Sequence, residues 1–102
     1  MTSSVASVAG AACAEPDTVR AYFFISAPAD PGLLPRLIEP VAKLGAMPTR
    51  VHASRESGDG SELVVDLRLA GVAPRTAELI GRALRAVVGV RRVKAVVEPE
   101  AN

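Results

Sequence analysis

The chain reads as an α+β domain: a four-stranded antiparallel sheet with two helices on one of its faces. Three observations predict this. Segments of period-two alternation bracket two segments whose apolar residues recur every three to four positions. Turn chemistry at Glu56-Ser57-Gly58-Asp59-Gly60 folds the middle two strands back on each other. The resulting order is β-α-β-β-α-β, in which right-handed crossovers put both helices on the same side of the sheet.

The first strand is expected over Arg20 to Ala27, with Ala21, Phe23, Ile25 and Ala27 facing one way and Arg20, Tyr22, Phe24 and Ser26 the other. Ala29-Asp30-Pro31-Gly32 then turns the chain into a helix. Asp30 is suited to capping that helix, Pro31 to its first position, and Gly32 to close approach of backbone or ligand. A helix N-terminus of this kind can also meet a small anion such as a carboxylate.

Leu34, Leu37, Ile38, Val41 and Leu44 form the apolar stripe of the first helix, Leu33 to Leu44, and Gly45 is placed to end it. Pro40 lies inside, at a cost of about 3 kcal/mol. Met47 to Arg55 reads as the second strand and Glu62 to Ala70 as the third. In the third, Leu63, Val65, Leu67 and Leu69 make the buried face, with Asp66 and Arg68 looking out.

Ala73-Pro74 opens the second helix, whose stripe is Ala77, Ile80, Ala83, Leu84, Val87 and Val88. Gly81 lets it lie close to the sheet, and Gly89 is placed as its C-cap residue. Arg92 to Glu98 is the last strand, with Val93, Ala95 and Val97 inward. This is the split arrangement of ferredoxin-like domains. Residues 1–18 read as a disordered lead-in, 19–98 as the domain and 99–102 as a short tail.

Composition narrows the function. A formal charge of +1 offers no strongly basic face for nucleic acid. No apolar run approaches the ~20 residues of a membrane-spanning helix. Without Lys or Arg before Arg20 there is no basic n-region of a secretory signal, so a cytoplasmic protein is expected. The single cysteine, Cys13, and the single histidine, His52, supply neither a disulfide nor a metal-ligand set nor a catalytic triad. Asp30, Asp59, Glu62 and Asp66 are not forced into pairs, so no catalytic residues, no metal and no cofactor are expected.

The helix-free face of the sheet carries two aromatics, Tyr22 and Phe24, with Asp66 and Arg68 beside them and then Arg50 and His52. A bare face of that kind invites a cover, and a second copy of the chain is the simplest one.

Particular motifs sharpen this. Asp30-Pro31-Gly32-Leu33-Leu34-x-Arg36-Leu37, the exit Leu44-Gly45-Ala46, and Val87-Val88-Gly89-Val90-x-x-Val93 resemble the ACT domain, a ferredoxin-like regulatory module, over Ala21 to Val97. Within that group, Ser26-Ala27 and the Asp-Pro with its Leu-x-Arg are similar to the short regulatory small subunit of acetolactate synthase. The resemblance implies a non-catalytic homodimer that binds and tunes a large, thiamine-diphosphate-dependent catalytic subunit in branched-chain amino acid biosynthesis. It also implies an effector of the valine, isoleucine or leucine class, held at the dimer interface by the first strand-to-helix loop. Carried over by position, Asp30, Gly32 and Leu33 become effector contacts, and Gly45, Ala46 and Met47 lie near the interface. A stand-alone ACT dimer sensing a small amino acid is the alternative.

Overall fold

The computed structural model describes residues 17–100; most of the expected lead-in, with Cys13, and the last two residues lie outside it. Its elements are β1 (Val19–Pro28), α1 (Leu33–Lys43), β2 (Arg50–Glu56), β3 (Glu62–Val72), α2 (Pro74–Arg85) and β4 (Arg92–Pro99). They form one four-stranded sheet in the order β2-β3-β1-β4, with every neighbouring pair antiparallel. The expected ferredoxin-like topology is the observed one. No helix among the described residues is long and apolar enough to cross a membrane.

The core follows from alternation meeting helical periodicity. Ala21, Phe23, Ile25 and Ala27 of β1 are buried, as are Val65, Leu67 and Leu69 of β3. The helices add Leu33, Leu37 and Val41 at i, i+4, i+8, and Ala77, Ile80 and Leu84. Burying each of the three α1 side chains contributes roughly 1.5–3 kcal/mol. Together they exceed the ~3 kcal/mol that an internal proline costs. The helix accordingly runs past Pro40 to Lys43.

Its C-terminus closes as a Schellman motif. Gly45 (φ +79°) donates its N–H to the Ala42 carbonyl at 3.0 Å, and Ala46 donates to Val41 at 3.1 Å. Nothing lies within 4 Å of a Cβ built on Gly45. Gly45→Ala therefore isolates backbone strain, and should cost about 1 kcal/mol in urea unfolding with an unchanged m-value.

Several expectations are corrected. The N-cap of α1 is Gly32, not Asp30, and Pro31 precedes the helix instead of opening it. The reason is the turn just before: Leu33 N–H donates to the Asp30 carbonyl at 2.9 Å, which places Pro31 and Gly32 inside a turn. The helix α2 ends at Arg85 with Ala86 as C-cap, so Val88 lies beyond it, 79% exposed. Gly89 (φ +99°) serves the turn into β4 instead of capping α2.

On β4 only Val93 packs against the core; Ala95 is exposed and Val97 is 50% exposed. They line an open groove beside α2, because β4 is a sheet edge that the helix layer only partly covers. At the opposite edge the helix-side residues Val51 and Ala53 of β2 are likewise exposed. Gly81 plays its expected part: a Cβ there would stand 3.3 Å from Cε1 of Phe23.

The C-terminal end of β4 is tied in by Glu100. Its Oε1 accepts from Thr18 Oγ1 at 2.6 Å and from Gly71 N–H at 3.0 Å, pinning the ends of β1 and β3.

Candidate functional site

Two surfaces carry the residues singled out in the sequence. The first is the β1–α1 junction. Ala29 N–H donates to the Ser61 carbonyl at 2.9 Å, which joins this loop to the β2–β3 hairpin. Asp30 Oδ1 accepts from Gly32 N–H at 3.2 Å, an Asx-type turn. Its other oxygen accepts from Arg36 Nη2 at 2.8 Å, while Arg36 Nε donates to the Gly32 carbonyl at 2.9 Å. The guanidinium thus braces the loop from within α1, and the Asp30 side chain stays 56% exposed.

Between loop and hairpin lies a groove of about 380 Å³ lined by Ala29, Asp30, Pro31, Leu34, Arg55 and Leu63. Its volume lies within the range of small-molecule sites. Gly32, which follows Pro31 in the chain, is exposed and is not part of that lining. Leu33 is not available to it: the side chain is 1% exposed in the core and its N–H is already bonded to Asp30.

Arg55 enters from β2. Its Nε donates to the Gly60 carbonyl at 2.9 Å, so the hairpin turn fixes the guanidinium at the groove. Among the described residues it forms no ion pair. The groove therefore sets one carboxylate and one guanidinium around an aliphatic wall of Leu34 and Leu63. That combination suits a zwitterion with an apolar side chain.

Arg55, Leu34 and Leu63 were not anticipated as site residues. A signal for Arg55 was present: it continues the helix-side alternation of Val51 and Ala53, where a cation is out of place unless something receives it.

The second surface is the helix-free face of the sheet. Tyr22 stands between Arg68 and Val96, and Phe24 between Asp66 and Lys94. His52 lies opposite Asp66 on the far side of β3. The Arg68 guanidinium lies over the Tyr22 ring, 5.2 Å from its centroid. It also grips Asp66 with two bonds of 3.0 Å. The expected interface residues thus divide. Tyr22, Phe24 and His52 share this face, whereas Gly45, Ala46 and Met47 sit just past α1, towards the end of the sheet away from the groove. Met47 is 81% exposed there.

The hydrogen bond from Arg68 holds the Asp66 carboxyl below its ordinary value, with the charges of Arg68, Arg50 and His52 adding to it and burial opposing. A depressed native pKa means that the unfolded chain binds the proton more readily. The contribution is therefore complete above the ordinary carboxylate range and is lost as pH falls through the depressed value. Asp66→Asn should cost about 1 kcal/mol at pH 7. Urea unfolding should show the difference from wild type shrinking as the pH is lowered below that range.

A family model described as an ACT-like domain matches residues 14–101. No curated protein matches the chain. Among solved structures, the ACT domain from GTP pyrophosphokinase of Chlorobium tepidum is similar with a TM-score of 0.64 at 15% identity, covering 78% of this chain and 99% of that one. The C-terminal domain of the MgtC protein from Mycobacterium tuberculosis gives 0.62 at 10% identity, covering 88% and 98%. The regulatory subunit of aspartate kinase from Thermus flavus gives 0.53 at 17% identity, covering 84% of this chain and 54% of that one. At these identities the structures establish a common fold. The match over residues 14–101 goes further, and by it the chain belongs to the ACT-like domain family.

Proposed function

We propose that this chain is a non-catalytic regulatory domain that binds a small aliphatic amino acid in the groove between the β1–α1 loop and the β2–β3 hairpin. The observation carrying the proposal is that Asp30 and Arg55 line one groove together with Leu34 and Leu63. Arg55 receives the α-carboxylate, Asp30 the ammonium group, and the leucines the side chain. Valine, leucine and isoleucine fit against those leucines, whereas aspartate and glutamate would bring a second carboxylate against Asp30.

The catalytic partner we propose is the large subunit of a thiamine-diphosphate-dependent acetolactate synthase. Support comes from the motif resemblance of Asp30-Pro31-Gly32 and of Leu44-Gly45-Ala46. A homodimer fits the same reading. The β2 edge leaves one side of its ladder unpaired, and Leu44, Met47 and Val51 beside it are 38%, 81% and 41% exposed.

Isothermal titration with valine, leucine, isoleucine, aspartate and lysine tests the effector site. Saturable heat with the aliphatic members and none with the charged ones is expected; silence across the panel overturns the reading. Co-purification with the large subunit, and a change in its activity on mixing, tests the partner separately.

A further inference from the structure

The strand β4 lies at an edge of the sheet, and half of its backbone groups face outward. Glu100 N–H donates to the Thr18 carbonyl at 3.3 Å, and the register continues through Glu98–Arg20, Val96–Tyr22, Lys94–Phe24 and Arg92–Ser26. Antiparallel ladders bond at every second pair, so these residues of β4 spend their N–H and C=O groups on β1. Val93, Ala95 and Val97 therefore direct theirs away from β1, along the open edge. A strand guarded against pairing carries an inward-pointing charge or an internal proline. β4 has neither: its helix-side positions are those same three apolar residues, and its one proline, Pro99, comes last.

Alongside that edge runs the α2–β4 groove, of about 320 Å³, whose apolar lining includes Phe23, Ala77, Gly81, Ala95 and Val97. A further strand laid against β4 would turn every second side chain into this groove, where Ala95 is exposed and Val97 is 50% exposed. Main-chain pairing on a sheet edge supplies affinity, and pockets beneath alternate side chains supply specificity.

Charge selects the strand. The acids around β4 are answered within the molecule. Glu78 pairs with Arg75 at 3.2 Å and with Arg82 at 4.0 Å, and Glu100 with Arg20 at 3.7 Å. Glu98 stands opposite Arg20, while Asp66, level with Lys94 beyond Phe24, is held by Arg68. Arg85, Arg91, Arg92 and Lys94 are exposed and, among the described residues, belong to no ion pair. Arg85 is the last residue of α2, Arg91 precedes β4, and Arg92 and Lys94 fall within its first three residues. The Arg85 guanidinium folds back over Gly81, its Nη1 3.3 Å from where a Cβ would stand, and so lines the groove.

Antiparallel pairing is the more stable arrangement per residue, and it brings the C-terminal end of an incoming strand to these cations. A second copy suits the edge badly. Pairing β4 with β4 would set two α2 helices side by side, with Arg82 and Arg85 of both in one gap.

We propose that the β4 edge and its groove capture an extended segment of another protein as a fifth, antiparallel strand. That segment carries apolar residues at alternate positions and acidic residues towards its C-terminal end. The surface is separate from the β2 edge and from the amino-acid groove, and it depends on neither.

Fluorescence anisotropy with the full chain and a labelled peptide, Lys-Val-Thr-Val-Glu-Val-Glu-Glu, tests it. Saturable binding that weakens between 0.1 and 0.5 M salt is expected. The same peptide with lysine for each glutamate should bind at least ~10-fold more weakly. N-methylation of the three valines removes the donors that face β4 and should abolish binding, whereas methylating the intervening residues should not. Ala95→Pro deletes one edge donor without touching the bonds to β1, and should weaken binding about 10-fold. Arg92→Glu/Lys94→Glu should reverse the preference between the two peptides. Thermal melts confirm that both variants are folded. A wild type silent at about 1 mM peptide, equal affinity for the two peptides, or full binding of the valine-methylated peptide would overturn the proposal. So would a doubling of mass, seen without peptide by sedimentation equilibrium, that Ala95→Pro removes, because a second copy then holds the edge. Valine titration of the same variants should match the wild type, so failure here is distinguishable from failure of the amino-acid reading.

Discussion

Phe23→Ala is expected to remove about 3–5 kcal/mol of stability. Phe23 is the only aromatic among the buried core residues, 1% exposed at the middle of β1. It stands in register with Leu67 on one side and Ala95 on the other. Its ring edge also receives α2 at Gly81. Removing it takes away sheet packing and helix seating together. Domains of this kind hold only about 5–15 kcal/mol in total, so the loss is a large fraction. A fall in melting temperature of at least ~12 °C should appear by circular dichroism. The neighbouring α2–β4 groove, lined in part by Phe23, Ala95 and Val97, gives water a route towards the vacated space.

A companion substitution tests why Gly81 is glycine. In an exposed helix Gly→Ala gains about 1 kcal/mol. Here the new Cβ meets Cε1 of Phe23 at 3.3 Å, and a buried ring has little room to give. The Arg85 guanidinium, also 3.3 Å away, can swing aside. Gly81→Ala should therefore gain nothing in the wild type, yet stabilise the Phe23→Leu background by about 1 kcal/mol. The two changes should be coupled by 0.5 kcal/mol or more in a double-mutant cycle.

How far such features are legible in sequence depends on whether local or tertiary chemistry decides them. The alternation of Leu63, Val65, Leu67 and Leu69 with Asp66 and Arg68 identifies β3 and both its faces unaided. The Schellman closure at Gly45 is equally local. Asp30 is different. An N-cap and an Asx turn use the same residue type at nearly the same place, and here Arg36, six residues on, holds the second carboxylate oxygen. The end of α2 misleads for a related reason. Val87 and Val88 prolong the helical period, but the chain has already turned at Ala86, so periodicity outruns the helix. On β4, alternation correctly names the side that Ala95 and Val97 face but cannot say how far the helix layer extends over them. The groove is assembled from a loop, a helix and a hairpin, and Arg55 joins it through its register with Leu63 and its bond to Gly60, with the Ala29–Ser61 bond tying loop to hairpin.

Arg55→Met is expected to weaken aliphatic amino-acid binding about 100-fold while leaving the domain folded. A carboxylate held by a guanidinium in a partly desolvated groove contributes about 1.5–3 kcal/mol, a factor of roughly 10 to 160 in affinity. Methionine keeps much of the apolar stem against Leu34 and Leu63 but removes the cation. The substitution also removes the bond from Arg55 Nε to the Gly60 carbonyl, an exposed contact worth about 1 kcal/mol at most. The hairpin survives that loss because Gly60 N–H still donates to Ser57 and Ser61 N–H to Asp59 Oδ1. The two effects therefore separate by size. Calorimetric affinity should fall by about two orders of magnitude while the melting temperature drops by no more than ~8 °C. Arg55→Lys tells charge from geometry: a point charge on a flexible stem should recover part of the affinity but not the bidentate fit. If Arg55→Met binds valine as tightly as the wild type does, the carboxylate is held elsewhere and the groove is not the effector site.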